Sequence, residues 1–398
     1  MERGEMTRLH VLRAALVLAL TALLAIGVAA CGGGDDSTGG GGDTSGGSAE
    51  ADASVKDAEA YLAKYGKGVG GPLPTEPAKP QPGKDVWILS CAQAASGCAS
   101  ITAAIKEAAE EVGWKATVVD GAGDVSKWNS AVDQARVAGA DALFSVSVDC
   151  APIKQTLERA KAAGMITEGV SAYDCSDPIS GGGEPLFTHM FEGPIKGPES
   201  WAKLAEAGGG LQAAWTVVHV PGEKEAIVFT SQDVAVTQYI NKGFKDQFNC
   251  DECSIASEVP FHLTELGSPL TQKAQTAMLK YPDANVLAPP YDPVSESTAQ
   301  AIVNAGKVGT VYNTGLLATP SNVELIRSGR GQEMTVAWDS RWFGWAAVDD
   351  VIRLFNDQEP VYSGWDQGIV DKENLPEGEV YEAPVDYIAN YEKLWGLD

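Results

Sequence analysis

Residues 84–113 read KDVWILSCAQAASGCASITAAIKEAAEEVG, and this stretch decides the fold. The apolar run Val86–Leu89 is typical of a strand that is buried on both faces. Apolar residues at positions 101, 104, 105, 108 and 112 then recur with helical spacing, and Gly113 ends the predicted helix 100–112. The stretch is therefore predicted to be a buried strand followed by a helix that covers it.

The same alternation continues along the chain. In the first half we expect strands at 116–119, 142–148 and 165–170 and helices at 129–138 and 153–163. In the second half we expect strands at 225–230, 257–260, 285–288, 310–312 and 334–338, with helices at 211–219, 236–248, 268–280, 295–304, 324–328 and 342–356. Because such repetition is typical of parallel sheets covered on both faces, the predicted fold class is α/β with two Rossmann-like lobes.

The N-terminus has the features of an export signal. Three arginines precede the uncharged run AALVLALTALLAIGVAA at 14–30, which is short for a membrane span and ends in small residues. The following Cys31 completes VAAC, which resembles a bacterial lipobox, and the resemblance implies that Cys31 is lipidated and becomes the new N-terminus. The alternative is an uncleaved anchor helix with an incidental cysteine.

Residues 31–83 are predicted to be a lipidated tether between the signal peptide, residues 1–30, and the body. Residues 32–54 are rich in Gly, Ser, Asp and Thr and cannot build a core. A short helix is predicted at 54–65, and the prolines of GPLPTEPAKPQP at 71–82 predict a stiff extended linker.

Charge narrows the range of partners. The chain of 398 residues, long enough for two domains, has 29 Lys+Arg against 54 Asp+Glu and a net charge of -25. Removal of residues 1–30 takes away three Arg and two Glu and lowers the net charge to -26. Nucleic acid is excluded as a partner because phosphate binding needs a basic surface, and an anionic solute is the least favoured ligand.

Cysteine usage indicates an oxidising compartment. With Cys31 set aside, six of the seven cysteines remain, and an even number in an exported chain predicts disulfides. We expect Cys91–Cys98 and Cys250–Cys253 as local loops and Cys150–Cys175 between neighbouring strand ends. The alternatives for the CxxC at 250–253 are a zinc site, which would need a second cysteine pair or added histidines, and a redox motif, which should open a helix.

Polar and aromatic residues follow the predicted strands, where ligands bind in open parallel sheets. Carboxylates, amides and aromatic faces together suit polyhydroxylated or cationic ligands. The alternative for each residue is a helix cap or a turn. The candidate ligand-binding residues are Gln93, Asp149, Tyr173, Asp174, Gln232, Asp233, Tyr291, Asp292, Asn313, Trp338 and Asp339.

No motif indicates an enzyme. The chain has no GxxxxGK[ST], and GAG at 121–123 follows the second strand and lacks the third glycine of a dinucleotide fingerprint. GVSAY at 169–173 lacks the closing glycine of a nucleophile elbow, and the four histidines are not spaced as metal ligands. No catalytic residue, metal or cofactor is therefore expected; an unfamiliar extracytoplasmic enzyme is the remaining alternative.

Residues 84–398 resemble the type I periplasmic binding proteins, specifically the ribose-binding-like sugar-binding lipoproteins of bacterial ABC transporters. The segments that carry the resemblance, in chain order, are VDQA at 132–135, GADAL at 139–143, AKAAG at 160–164, NKGF at 241–244, AIVNAGK at 301–307, GWAAVD at 344–349 and GIVDKENLP at 368–376.

The resemblance implies two lobes joined by three crossover segments, near 188–208, 338–339 and 365–368. It assigns 84–200 with 339–366 to an N-terminal lobe and 201–338 with 367–398 to a C-terminal lobe. A small-molecule ligand, a sugar or polyol, is expected in the cleft, and hinge closure would bury it before a monomer docks on an ABC permease. The expected location is extracytoplasmic, with a lipid anchor as the sole membrane attachment.

The matching positions imply a ligand different from a simple pentose or hexose. Asp292 is the best-matched residue, Trp338 replaces a hinge Gln, and Ser171-Ala172 replaces an Asp-Arg pair that grips sugar hydroxyls. A larger glycoside, a polyol or a cation would fit an aromatic, acid-rich cleft. The same fold could instead bind an amino acid, a nucleoside or a cationic amine, or could serve as a ligand-sensing subunit.

Overall fold

A computed structural model describes residues 46–194, 200–232 and 234–397, with side chains from residue 53 onward. The helices are α1 Gly46–Tyr65, α2 Ser96–Glu111, α3 Val125–Ala138, α4 Cys150–Ala162, α5 Ser200–His219, α6 Val236–Gln247, α7 Ser268–Lys280, α8 Asp292–Asn304, α9 Pro320–Ser328, α10 Ser340–Phe355 and α11 Tyr387–Trp395. The strands are β1 Lys67–Val69, β2 Asp85–Ser90, β3 Lys115–Asp120, β4 Ala142–Val146, β5 Ile166–Val170, β6 His189–Met190, β7 Lys224–Ser231, β8 Cys253–Phe261, β9 Val286–Ala288, β10 Tyr312–Asn313, β11 Leu316–Leu317, β12 Met334–Ala337 and β13 Trp365–Asp371. The signal run, the lipobox and Cys31 lie outside the described residues.

The first half of the body forms the sheet of the N-terminal lobe. Its strand order is β3-β2-β4-β5-β6, and all its pairings are parallel. Strand β2 lies between β3 and β4 and is buried on both faces, as its apolar run predicts, and α2 packs Ile101 and Ile105 over the sheet. The predicted α/β class is confirmed.

The second half forms the sheet of the C-terminal lobe. Strands β10-β9-β7-β8 are parallel, and a second group runs β1-β13-β12-β11. Within that group β13 lies antiparallel to both β12 and β1. No strand was predicted from periodicity at β13 or β1, because tertiary pairing rather than an isolated apolar run holds them in place.

The segment predicted to be a tether belongs partly to the folded body. Helix α1 packs on α5, and β1 pairs with β13. The proline-rich segment lies on the N-terminal lobe, where Arg353 Nη2 donates to the Glu76 carbonyl at 2.7 Å and Ala78 is fully buried. The described residues from 53 to 83 therefore form no free spacer.

The C-terminal helix also differs from its expected place. Residues 367–398 were assigned to the C-terminal lobe, but α11 packs on α10, which itself packs on α2 of the N-terminal lobe. Trp395 stacks on Trp345 with ring centroids 5.2 Å apart, and its Nε1 donates to Asp349 Oδ1 at 2.8 Å. After β13 the chain therefore returns to the N-terminal lobe, where this aromatic contact holds α11 against α10.

Two glycines allow α5 and α6 to touch backbone to backbone. A Cβ on Gly209 would lie 1.8 Å from the Ile240 carbonyl oxygen, and one on Gly243 would lie 1.8 Å from the Glu206 carbonyl oxygen. Neither position tolerates a side chain unless the helices separate, so GGG at 208–210 is a packing feature inside a helix that begins at Ser200, well before the predicted 211.

Gly209→Ala should therefore lower the free energy of unfolding by about 2–3 kcal/mol, because the added methyl overpacks a backbone contact. Urea unfolding followed by circular dichroism measures the change. Gly378→Ala is the matched control, since its nearest neighbouring atom would be 4.0 Å from the new Cβ. A difference between the two variants below about 0.5 kcal/mol, the scatter of surface substitutions, would contradict the close-packing explanation.

Candidate functional site

The strands of the N-terminal lobe end in small hydroxyl side chains on an unusual backbone. Ser147 follows β4 with φ 52°, and Ser171 follows β5 with φ 54°. Left-handed backbone at a residue other than glycine costs on the order of 1–3 kcal/mol and recurs at ligand sites. The hydroxyl of Ser90, at the end of β2, is buried and has no hydrogen-bond partner among the described residues.

Tyr173 is the side chain around which the two lobes meet. It follows β5, is 2% exposed and lies 5.4 Å, centroid to centroid, from Tyr239 on α6 of the other lobe. Tyr239 Oη donates to Asp177 Oδ1 at 2.9 Å, back in the N-terminal lobe. The Tyr173 hydroxyl has no hydrogen-bond partner within the described residues, so it can bond to a further molecule.

Asp149, which follows the neighbouring strand β4, holds the loop that contains Tyr173. Its Oδ1 accepts the Tyr173 backbone N–H at 3.0 Å. Burial raises the pKa of Asp149 to about 6, and the nearby Asp177 adds to the rise, while the bond from Tyr173 lowers it. Asp149 and Tyr173, both predicted from strand ends, are thus adjacent in the structure.

A second contact closes the lobes against each other near the start of α2. A Cβ on Gly97 would lie 2.9 Å from Leu317 Cδ1 of β11, so helix and strand touch there. Leu317 has φ 125° and Ala318 φ 56°, which places another strained backbone at a strand end. The described structure is a closed arrangement of the two lobes.

Four predicted site residues instead bond within the protein. Asp174 Oδ1 accepts the backbone N–H of Cys175 and Leu186. The buried Asn313 bonds to Thr298, Ser295 and Gly331, Asp339 caps α10, and Asp292 is described below. These side chains hold loops in place, which is the turn and cap explanation given above for such residues.

Asp292 is fully buried at the start of α8. Its Oδ2 accepts the Thr319 N–H at 2.8 Å and its Oδ1 accepts the Thr335 hydroxyl at 2.8 Å. Burial raises its pKa to about 7, although these bonds act in the opposite direction. The residue best matched to the family motif is therefore an internal anchor between α8, α9 and β12.

The remaining candidates are dispersed. Gln93 and Gln232 are exposed, Tyr291 is half-buried, and Asp233 lies outside the described residues. Trp338 is buried at the hinge, where its Nε1 donates to Gln367 Oε1 at 3.1 Å. Tyr239 and Asp177 were missed, because one lies inside a helix and the other in a loop that no strand-end pattern marks.

The three predicted disulfides are confirmed. Cys91 pairs with Cys98, Cys150 with Cys175 and Cys250 with Cys253, with Cα–Cα distances of 6.0, 5.1 and 5.0 Å. The first two close loops beside Ser90 and Asp149, so covalent links fix the strand ends next to the lobe contact.

The family described as "Periplasmic binding protein domain" matches residues 88–359. The chain belongs to this family. The family is one of extracytoplasmic solute-binding proteins. No curated protein matches the chain. Within the part of the chain that the structure describes, no helix combines the length and the apolar character needed to cross a bilayer.

Solved structures share the fold at low sequence identity. A periplasmic solute-binding protein from Actinobacillus succinogenes 130z with bound D-allose has 16% identity and a TM-score of 0.63, covering 73% of this chain and 98% of that one. A solute-binding protein from Mycobacterium smegmatis with bound glycerol has 18% identity and a TM-score of 0.63, covering 75% and 99%. One from Bacillus halodurans C-125 with bound myo-inositol has 15% identity and a TM-score of 0.62, covering 74% and 96%.

The buried Asp292 makes stability depend on pH. Because the folded state holds this proton more tightly than the unfolded chain, the contribution of Asp292 to the free energy of unfolding falls as pH rises from about 4 to about 7. Asp292→Asn keeps the shape of the protonated acid without its titration, so the decline should be shallower. Urea unfolding between pH 4.5 and 7.5 measures both slopes. The exposed Asp283→Asn serves as control, and equal slopes for wild type and Asp292→Asn would contradict the assignment.

Proposed function

We propose that this protein is an extracytoplasmic solute-binding lipoprotein that captures a sugar or polyol between its lobes and delivers it to an ABC importer. The observation that carries the proposal is the meeting of Tyr173 and Tyr239 across the lobes, where the buried Tyr173 hydroxyl has no hydrogen-bond partner among the described residues. Family membership supports the same ligand class, as do the D-allose, glycerol and myo-inositol bound in three solved structures of the same fold.

The chemistry around Tyr173 suits a polyhydroxylated ligand. An aromatic ring packs on the apolar face of a sugar ring. Carboxylate oxygens accept hydrogen bonds from the hydroxyl groups of the sugar, and protein hydroxyl groups can donate to them or accept from them. Asp149, Ser90 and Ser171 supply such oxygens at neighbouring strand ends. Since Tyr173 is 2% exposed, a ligand can reach it only when the lobes open, which the hinge of this fold permits.

Tyr173→Phe tests this site. We expect a panel of sugars and polyols to contain a compound that raises the melting temperature of wild type by ligand linkage. The variant should bind that compound about 2- to 10-fold more weakly by calorimetry, since one hydrogen bond is lost. The free energy of unfolding of the variant should stay within about 0.5 kcal/mol of wild type, because no described residue bonds to the hydroxyl that is removed.

The matched control is Tyr391→Phe. Tyr391 is a buried tyrosine on α11, away from the contact between the lobes, so this variant should keep wild-type affinity. Stabilisation by amino acids, nucleosides or amines alone would contradict the sugar assignment. Unchanged affinity in Tyr173→Phe would place the ligand elsewhere.

The lipid anchor is tested by Cys31→Ala. We expect this variant to leave the membrane fraction, because the thiol that would carry the lipid is absent. Asp35→Ala, four residues further along the chain, should remain in that fraction. Retention of Cys31→Ala at wild-type levels would contradict lipidation and favour an uncleaved anchor helix. Cell fractionation with immunoblotting measures both.

A further inference from the structure

Three titratable side chains meet inside the N-terminal lobe, away from the lobe contact. Glu168 on β5 and His189 on β6 are direct partners in the parallel pairing, so both side chains leave the same face of the sheet. They meet Asp350 of α10, which covers that face. His189 Nδ1 lies 3.0 Å from Glu168 Oε1 and 3.9 Å from Asp350 Oδ2.

The cluster has more negative than positive charge. The side chains of Glu168 and Asp350 are 0% and 8% exposed, and a protonated His189 could balance one of the two carboxylates. The nearby Arg353 is already bound to Asp349 Oδ2 at 2.7 Å and to the Glu76 carbonyl. Because a buried charge is costly without a partner, the second carboxylate needs either a proton or a cation.

The carboxyl group of Asp350 faces a small cavity. Its carboxyl accepts no hydrogen bond from any residue that the structure describes, although it is more than nine-tenths buried. It lines a cavity of about 10 Å³, roughly the space that one water-sized sphere occupies. His189, Glu192 and Ser363 are the other polar residues of that cavity.

We propose that Glu168, His189 and Asp350 form a binding site for one divalent transition-metal ion of the Zn²⁺ class, with Glu192 at its rim. Imidazole nitrogen and carboxylate oxygen are ligands that Zn²⁺ and Mn²⁺ accept. A neutral imidazole, two carboxylates and a divalent ion sum to zero charge, which removes the imbalance of the buried cluster.

The spacing of the donor atoms fits this assignment. Two ligands of a tetrahedral ion with bonds of about 2.1 Å are about 3.4 Å apart. The candidate atoms all lie within 4.8 Å of one another, so side-chain shifts below about 1 Å would complete the site. A second set, Cys150, Asp174 and Cys175, offers no such site because its cysteines form a disulfide.

An ion at this place would join three elements. His189 and Glu192 lead into the first crossover, Pro360 and Ser363 lie on the segment from α10 to β13, and Asp350 belongs to α10 itself. Metal binding is therefore expected to stabilise the edge of the lobe from which two crossovers depart. This effect is independent of any sugar.

The test uses the full-length protein in detergent, without an affinity tag and after removal of metals by a chelator. Calorimetry with ZnCl₂ should show one ion bound per chain, and the melting temperature should rise by at least about 3 °C. His189→Gln and Asp350→Asn should each bind Zn²⁺ at least 30-fold more weakly. His262→Gln, which removes an exposed histidine of the C-terminal lobe, should bind as wild type does.

A measurement on wild type alone keeps the proposal falsifiable if a variant fails to fold. Co²⁺ added to the metal-free protein should develop the stronger visible absorption of a site with protein ligands, and Zn²⁺ should displace it. A spectrum that remains that of the aqueous ion, or equal Zn²⁺ affinity in wild type and His189→Gln, would overturn the proposal. The cluster would then be an ion pair between His189 and Glu168 in which Asp350 is protonated. Loss of binding in His262→Gln would identify adventitious surface binding.

Discussion

The structure depends on the junction where the crossovers meet, which is held by the buried carboxyl group of Asp339. Its oxygens accept the N–H groups of Arg341 and Trp342 at the start of α10 and the Ala383 N–H and Tyr387 hydroxyl of the C-terminal segment. The Asp339 carbonyl accepts Trp365 Nε1 at 3.1 Å. One residue thus caps a helix and connects the second crossover to the third and to the chain end. Around it the rings of Trp201, Trp338, Phe343 and Trp365 form a cluster in which five pairs have centroids 4.9–6.1 Å apart.

The ends of the described chain reinforce this junction from outside. Helix α1 and β1 attach to the C-terminal lobe, the proline-rich segment attaches to the N-terminal lobe, and α11 returns to α10. By the order of the described elements, five segments therefore pass between the lobes where three were expected, counting the one from β1 to β2 and the one from β13 to α11. The two additional segments link the lobes further, so an opening motion has to accommodate them as well.

Burial decides which of the many acidic residues can serve a ligand. Asp292 and Asp339 are raised in pKa by burial, yet their oxygens are already occupied by backbone and hydroxyl donors. The pKa of Asp149 is raised in the same way, but this residue lies beside Tyr173, whose hydroxyl has no partner among the described residues. In the lobe interior, Asp350 shares the single His189 with Glu168 and accepts no hydrogen bond within the described part of the chain. The same residue type therefore acts as an anchor, a candidate ligand contact and a candidate metal ligand, according to its neighbours.

The sequence by itself determined the α/β class with parallel sheets and the three disulfide pairings. Local apolar periodicity and cysteine spacing carry that information, as Val86–Leu89 and Cys250–Cys253 illustrate. It also predicted Asp149 and Tyr173 as candidate ligand-binding residues, because the ends of strands can be recognised from local sequence. Only the tertiary structure decided that Asp292 and Asn313 are anchors, that α11 joins the first lobe, and that Glu168, His189 and Asp350 meet. Those outcomes depend on pairing and packing between residues far apart in the chain, which no local pattern encodes.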